Sequence, residues 1–433
     1  MNEESNTHSC QLMIIGAGMA GTAAAVFAAR HGIETVQAGR TGETLYASGL
    51  FDLYGVSHGS PRVLVDDPWQ GLMRLRQDHP RHPLCRLSVD QIGAAMDRLT
   101  EFLGEAGLPY AGYPDKNARV ITSVGTVKRT FRVPLTMWPG VRALEQKAPC
   151  LIIDIQGLRG FSAAQIVQTL KPAWPRLSAA TIDLAWENRL GPKYAEHIAR
   201  GLEVEQARRE LAEVIRPHLG GARYIGLPAV LGIHDTEGVR RDLTEMLGRP
   251  VFEIPTMPPA VAGVRLKEIF DDHMPRLGVK SFLHHSVLAI RRREDGRFAL
   301  EVGKTVPEAT VVADNVLLAS GRFLSKGLVA ERQGIREPLL NLPVRQPEHR
   351  GGWHRENFLD PRGHGINLAG IEVDERFRPV QSDGRVVYEN LYAAGTILAH
   401  QDWMRSKSGT GLAVATAYGA IEGLLKNPQG NRM

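Results

Sequence analysis

Three observations predict an α/β fold in which a nucleotide-binding sheet is interrupted by an inserted central domain. A short apolar run, residues 11–15, ends in Gly16-Ala17-Gly18-Met19-Ala20-Gly21 and passes into small, helix-favouring residues. Strand-like segments with small residues at their ends return near the C-terminus, at residues 316–321 and 390–396. The chain between these ends is richer in proline and in helical spacing. The expected organisation is therefore residues 1–60 and 271–433 as two parts of one nucleotide-binding domain. Residues 61–270 are expected as a central α+β domain between them.

Residues 11–15 read as a buried parallel strand, because the run is apolar without alternation. Residues 20–31 read as a helix that stops at Gly32. Residues 33–38 read as a second strand, which completes a β-α-β unit. Residues 60–150 are proline-rich and irregular, apart from a helix at 89–106. Helical spacing of apolar residues recurs at 161–170 and 203–215. Prolines cut strand-like segments at 224–228 and 252–255. Residues 279–282, 287–291, 298–302 and 316–318 read as strands, with Asp295-Gly296 as a turn between two of them. Residues 389–425 read as strand, glycine-rich turn and helix.

Composition narrows the function classes. With 433 residues, 43% hydrophobic and 23% charged, the chain can bury large cores and is not disordered. The net charge of +5 is mostly dispersed arginine, with short clusters at Lys128-Arg129 and Arg291-Arg292-Arg293. That reads as solvated surface, or as attraction to phosphorylated substrates or anionic headgroups. No zinc finger, RNA-binding signature or basic helix points to nucleic acid. Cys10, Cys85 and Cys150 are too far apart for a disulfide framework or a cysteine metal site. No metal centre is expected. Residues 1–9 are polar rather than signal-like, and no apolar run reaches 18 residues. The expected location is cytoplasmic, with attachment to a membrane through partners left open.

The glycine turn carries the first chemistry. Gly16 permits the tight turn, Gly18 lets the backbone approach a pyrophosphate, and Gly21 lets helix and strand pack closely. Unpaired amides and the helix dipole then favour an anion. The next expected feature is an acid at the end of the second strand, on a ribose hydroxyl. Gly39 and Arg40 stand there instead. Two later segments favour a flavin over a nicotinamide. One strand ends at Ser320-Gly321. Another ends at Gly395-Thr396, and Ser408-Gly409-Thr410-Gly411 opens the last helix, whose N-terminus suits the negative side of a reduced flavin. The expected fold is a Rossmann-like two-dinucleotide-binding flavoprotein.

Longer blocks carry a more specific resemblance. They include Ser48-Gly49-Leu50-Phe51-Asp52-Leu53, the run from Pro255 to Leu266, and Ala319-Ser320-Gly321 followed by the run from Gly327 to Pro338. On these the chain resembles the family of anaerobic glycerol-3-phosphate dehydrogenase B subunits over nearly its whole length. The resemblance implies oxidation of sn-glycerol 3-phosphate to dihydroxyacetone phosphate. It also implies a larger flavin subunit and an iron–sulfur subunit that passes electrons to quinone. It implies FMN as cofactor, which suits the missing ribose acid, with FAD as the alternative. Ser408 stands where the family often has a cysteine before Gly409-x-Gly411. Another FAD enzyme of the fumarate reductase or ketosteroid dehydrogenase kind, or a non-catalytic scaffold or electron-relay subunit, remains open.

Oxidising a secondary alcohol needs a base, and holding a phosphate needs arginine or lysine. His234 and His400 are the candidate bases. Arg265 is the candidate phosphate ligand, and Arg405 and Lys407, just before the last helix, are further candidate functional cations. Ser48 and Gly49 are candidate flavin contacts, beside Gly16, Ala17, Gly18, Met19, Ala20, Gly21, Gly39, Arg40, Ser320, Gly321, Gly395, Thr396, Ser408, Gly409, Thr410 and Gly411.

Overall fold

The computed structural model describes residues 6–40, 42–58, 61–186 and 192–427. The polar start of the chain, residues 1–5, lies outside them. The chain divides into two compact units: residues 1–41, 52–99 and 270–433 form the first, and residues 42–51 and 100–269 the second. Residues 61–99, expected in the central domain, belong with the first unit instead. Residues 42–51, expected in the N-terminal part, belong with the second.

The first unit is built on a seven-stranded sheet. β1 (Thr7–Ile15) leads into helix α1 (Met19–Arg30) and β2 (Thr35–Gly39). Helix α2 (Pro68–Asp78) starts on Asp67, whose carboxylate accepts the Trp69 and Gln70 amides, with proline at the first helical position. The chain rejoins the sheet as β3 (Lys280–Leu283), β4 (Ser286–Arg292), β5 (Phe298–Gly303), β6 (Pro307–Leu318) and β7 (Leu391–Ala393). Strands β3, β2, β1, β6 and β7 run parallel, while β5 pairs antiparallel with β6 and β4 antiparallel with β5. The register aligns Ile15 with both Ala38 and Leu318, and Leu318 with Ala393. Four parallel strands thus end on one line, and the glycine-rich segments leave the sheet from that line. This is the edge at which parallel α/β sheets bind ligands.

Helix α3 (Gly409–Leu425) closes the unit and is buried on nearly every face. α1 is equally apolar, with residues Ala23 to Ala28 all buried. Helices apolar all round belong inside. Small residues let these two pack closely, and Phe27 meets Tyr418 edge-on at 5.5 Å.

The second unit has a four-stranded sheet in the order Val251–Ile254, Tyr224–Pro228, Cys150–Ile155, Leu177–Ile182. Every pairing in it is parallel. The α+β expectation is corrected: its main sheet is α/β, and antiparallel pairing among its described residues is limited to two small ribbons and a bridge between Phe51 and Arg132. Of the two crossover helices, Ala163–Leu170 falls within the helical spacing read at 161–170, whereas Thr236–Leu247 was not read in the sequence. Each is capped by a side chain, from Ser162 and Asp235 respectively.

Candidate functional site

The glycine turn sits at the common end of β1, β2 and β6. Gly16 has φ +125°, and a Cβ there would lie 2.2 Å from the Ala319 carbonyl oxygen, so no other residue fits. Gln37 secures the turn by donating from its side-chain amide to the Gly16 carbonyl at 2.9 Å. A Cβ added at Gly18 would meet nothing within 4 Å, so this face of the helix start is open. No side chain caps α1, and its first turn carries no acid. Such an end favours an anionic ligand. Just past the end of β6, Ser320 has a buried hydroxyl without a hydrogen-bond partner. An open amide end and an orphaned buried hydroxyl on one sheet edge fit the phosphate-bearing part of a flavin.

The other expected flavin contacts fall as follows. A Cβ at Gly39 would lie 2.4 Å from the Ala17 nitrogen, so the end of β2 abuts the turn and leaves no room for an acidic side chain. Arg40 is exposed. The Gly395 amide donates to Thr416 Oγ1 at 2.8 Å, which ties the end of β7 to α3. Gln401 donates to the Thr396 carbonyl at 2.9 Å. The Ser408 hydroxyl is buried and shared with Ser406 at 2.8 Å. The Gly411 amide donates to the Asp52 carbonyl at 2.6 Å, which leaves Gly409 and Thr410 at the uncapped start of α3. Ser48 and Gly49 lie in the second unit, where Gly49 is wedged beside Ala262.

The candidate functional cations separate. Arg265 is 1% exposed within the second unit and forms a two-pronged pair with Glu253 at 2.7 and 2.8 Å. Its Nε donates to the Gly232 carbonyl at 2.9 Å. Burial pushes the Glu253 carboxyl up, but the Arg265 charge and bonds from Arg265, Thr136 and Leu231 outweigh it and hold the acid ionised. This arginine is spent on the fold, and its expected role as a phosphate ligand is corrected. His234, also in the second unit, has a side chain 66% exposed and lies 3.7 Å from Glu268. Lys407 is exposed in a left-handed turn at φ +50°.

His400 and Arg405 come together in the first unit. Both line a cleft of about 470 Å³, within the range of small-molecule sites. Its walls are the segment around His58 and Arg62, the loop that follows α2, the loop at residues 361–365 and the segment 400–406. Five histidines and five arginines line it, against Asp78 and Asp402. His400 Nε2 lies 2.8 Å from Glu372 Oε1, so the carboxylate orients the ring and leaves Nδ1 as the acceptor. The tautomer follows from that partner. Asp402 caps the short helix Trp403–Ser406 and accepts from Asn367 at 3.1 Å. Burial, then the neighbouring His79, pull the His58 pKa down to about 4. A larger concavity, about 660 Å³, runs along residues 351–365, but its buried acid Asp360 is already bound by Arg362 at 2.8 Å.

His58, His79, His82 and Arg62 were missed in the sequence. The signal was present in Asp78-His79-Pro80-Arg81-His82, a dense basic cluster just past a capped helix. Among the described residues no group of three His, Cys, Asp or Glu side chains is placed to hold a metal. Nor, among those residues, is any helix long and apolar enough to cross a membrane.

A parallel sheet edge with a glycine turn and an uncapped helix start defines a Rossmann-like flavin-binding protein, whose first unit also holds a basic cleft. Residues 11–412 match the family described as FAD binding domain, and the chain belongs to that family. A relative in Halobacterium salinarum, named as the probable B subunit of anaerobic glycerol-3-phosphate dehydrogenase, is 29% identical over 95% of this chain and 96% of its own. A Vibrio vulnificus relative, named as the B subunit of anaerobic glycerol-3-phosphate dehydrogenase, is 27% identical over 95% of both chains. An Aliivibrio fischeri relative of the same name is 26% identical over 96% of this chain and 95% of its own. The resemblance read from the sequence is borne out by these names. Family and relatives together support a flavin oxidoreductase. The family's description names FAD, the alternative expectation, rather than FMN.

Proposed function

We propose that this chain is the flavin-dependent B subunit of an anaerobic glycerol-3-phosphate dehydrogenase. In this reading it oxidises sn-glycerol 3-phosphate to dihydroxyacetone phosphate and works beside a larger flavin subunit. An iron–sulfur subunit passes the electrons on to quinone. The observation that carries the reading is the shared name of relatives matched over about 95% of the chain. Three scattered cysteines, none of them paired, agree with iron–sulfur chemistry on another chain. Location at the inner face of a membrane, through those partners, is part of the same proposal.

The flavin of this reading is FAD, held with its phosphates at Gly16–Gly21. Bound there, it supplies the two-electron acceptor for the carbinol carbon. The protein's own part is positioning and proton transfer. His400 Nδ1 takes the hydroxyl proton, while Glu372 fixes the ring and stabilises the cation that forms, since the two are 2.8 Å apart. Arg405 stands on the same cleft wall for the phosphate.

The test is to purify the chain, identify the released flavin by chromatography and add sn-glycerol 3-phosphate anaerobically. Bleaching of the visible spectrum is expected, with FAD released. His400→Asn should slow bleaching by about 10²–10⁴-fold while the flavin stays bound. A flavin that bleaches only with a partner subunit present would instead make this chain a relay.

A further inference from the structure

His82 is 0% exposed, yet it lines the cleft of the first unit. Its Nδ1 accepts the Leu84 amide at 3.2 Å, where it caps the short turn Pro83–Arg86. The neutral ring must then carry its proton on Nε2. That Nε2–H is buried and has no hydrogen-bond partner. Leaving a buried donor unpaired is costly, so a wholly buried N–H on a residue that lines a cleft calls for an acceptor. The His58 ring stands 5.8 Å from that of His82 and 4.7 Å from that of His79. Arg62 donates to the Arg405 carbonyl, which sets the two cations side by side. Their repulsion, after burial, draws the Arg62 pKa down, and Asp402 is the carboxylate that opposes it. Asp402 is already engaged by Asn367 and by the turn it caps. Cations therefore exceed anions along the cleft, with five arginines against Asp78 and Asp402.

We propose that this cleft is the phosphate-monoester site: His82 Nε2–H donates to a phosphate oxygen, and Arg62 and Arg405 answer its charge. The proposal rests on the dehydrogenase reading for the identity of the ligand, and on the orphaned donor for its place. A dianion supplies an acceptor for the buried Nε2–H and negative charge against the cleft's arginines. His82 is then a specificity residue, because glycerol without its phosphate leaves Nε2–H unpaired.

The flavin-loaded protein is titrated calorimetrically with inorganic phosphate, sn-glycerol 3-phosphate and glycerol, beside His82→Asn and Arg405→Gln. Asparagine keeps an acceptor for the Leu84 amide and removes only the Nε2 donor. Both phosphates should bind the parent and glycerol should not. Each variant should weaken phosphate binding by about 10-fold or more with flavin content unchanged. If His82→Asn does not fold, Arg405→Gln decides alone. Unchanged phosphate affinity in the variants, no phosphate binding by the parent, or loss of flavin from His82→Asn would each overturn the assignment. Bleaching by sn-glycerol 3-phosphate in those same samples would leave the dehydrogenase reading standing while this cleft is discarded.

Discussion

Arg265 in the second unit and Arg405 in the first are equals as sequence, each a lone arginine near the start of a helix. Arg265 is enclosed and donates to Glu253 and Gly232, while the Leu231 amide and the Thr136 hydroxyl complete the bonding of the acid. Arg405 is half-buried on a cleft wall, where it donates one bond to the Pro361 carbonyl and lies 3.7 Å from an acid that has other partners. A cation's task is thus decided by how many of its donors the fold has used. A saturated arginine holds the chain together. An unsaturated one, among other donors, is set for a ligand that brings acceptors.

The largest effect expected from this contrast is on stability. Arg265→Ala leaves the Glu253 carboxylate buried and unpaired, and should destabilise the protein by about 3–5 kcal/mol in denaturant melts. Replacing both partners together, as Arg265→Met with Glu253→Leu, should cost less than the single change. Thr136 and Leu231 would still lose an acceptor, so recovery is partial. A single change of under about 1 kcal/mol would dissolve the contrast, because it would mean that Arg265 is not a structural tie.

How much of this was legible depends on how local each feature is. The glycine turn was read in full, since six consecutive residues and two flanking strands define it. The cleft was not. Arg405 stands more than 300 residues beyond His58 and His82, and they meet through the loop after α2, the backbone bonds from Gly55 and Val56 to Ser406 and the Arg62 bond to the Arg405 carbonyl. His400 and Arg405 could be named singly because they follow a recognisable strand. Arg265 was misassigned because its partner is across the second unit's core. The lone acid in the apolar segment Phe252-Glu253-Ile254 was the available clue to a buried cation. The parallel sheet of the second unit was hidden for a related reason: Cys150–Ile155 is an apolar run that could belong to a helix or a strand.

A second prediction probes the same contrast with acid. His58 is held neutral in the folded protein down to about pH 4, by burial and by His79, Arg405 and Arg62, with Asp402 opposing. In the unfolded chain it takes its proton near pH 6.5. Above that pH the two states bind protons alike. As the pH falls from about 6.5 to 4, the unfolded state gains a proton the folded state refuses, so stability is lost through that window. The loss is at most about 3 kcal/mol. His82, whose pKa is also driven down by burial and by its histidine neighbours, adds in the same direction. His58→Asn should flatten the curve of stability against pH between 6.5 and 4. Bound phosphate should counter the loss, since it stabilises the folded state by mass action. An acid-insensitive stability would mean that the cleft is wetter and more open than its burial indicates.

The smallest expected effect concerns the other histidine. His234 and His400 answer to the same chemical need, but their surroundings differ as those of the two arginines do. The His400 ring is oriented by a carboxylate at 2.8 Å on a cleft wall. The His234 ring is two-thirds exposed, and its acid lies at 3.7 Å, beyond a good hydrogen bond. An exposed pair of that length is worth at most a few tenths of a kcal/mol. His234→Asn should therefore melt within about 0.5 kcal/mol of the parent and keep its rate of flavin bleaching within about two-fold. The asparagine leaves the backbone amide free to keep its bond to Glu203, so the change isolates the ring. A fall of about a hundred-fold with the fold intact would move the base to the second unit. It would also undo the argument that orientation by a near carboxylate marks the working histidine.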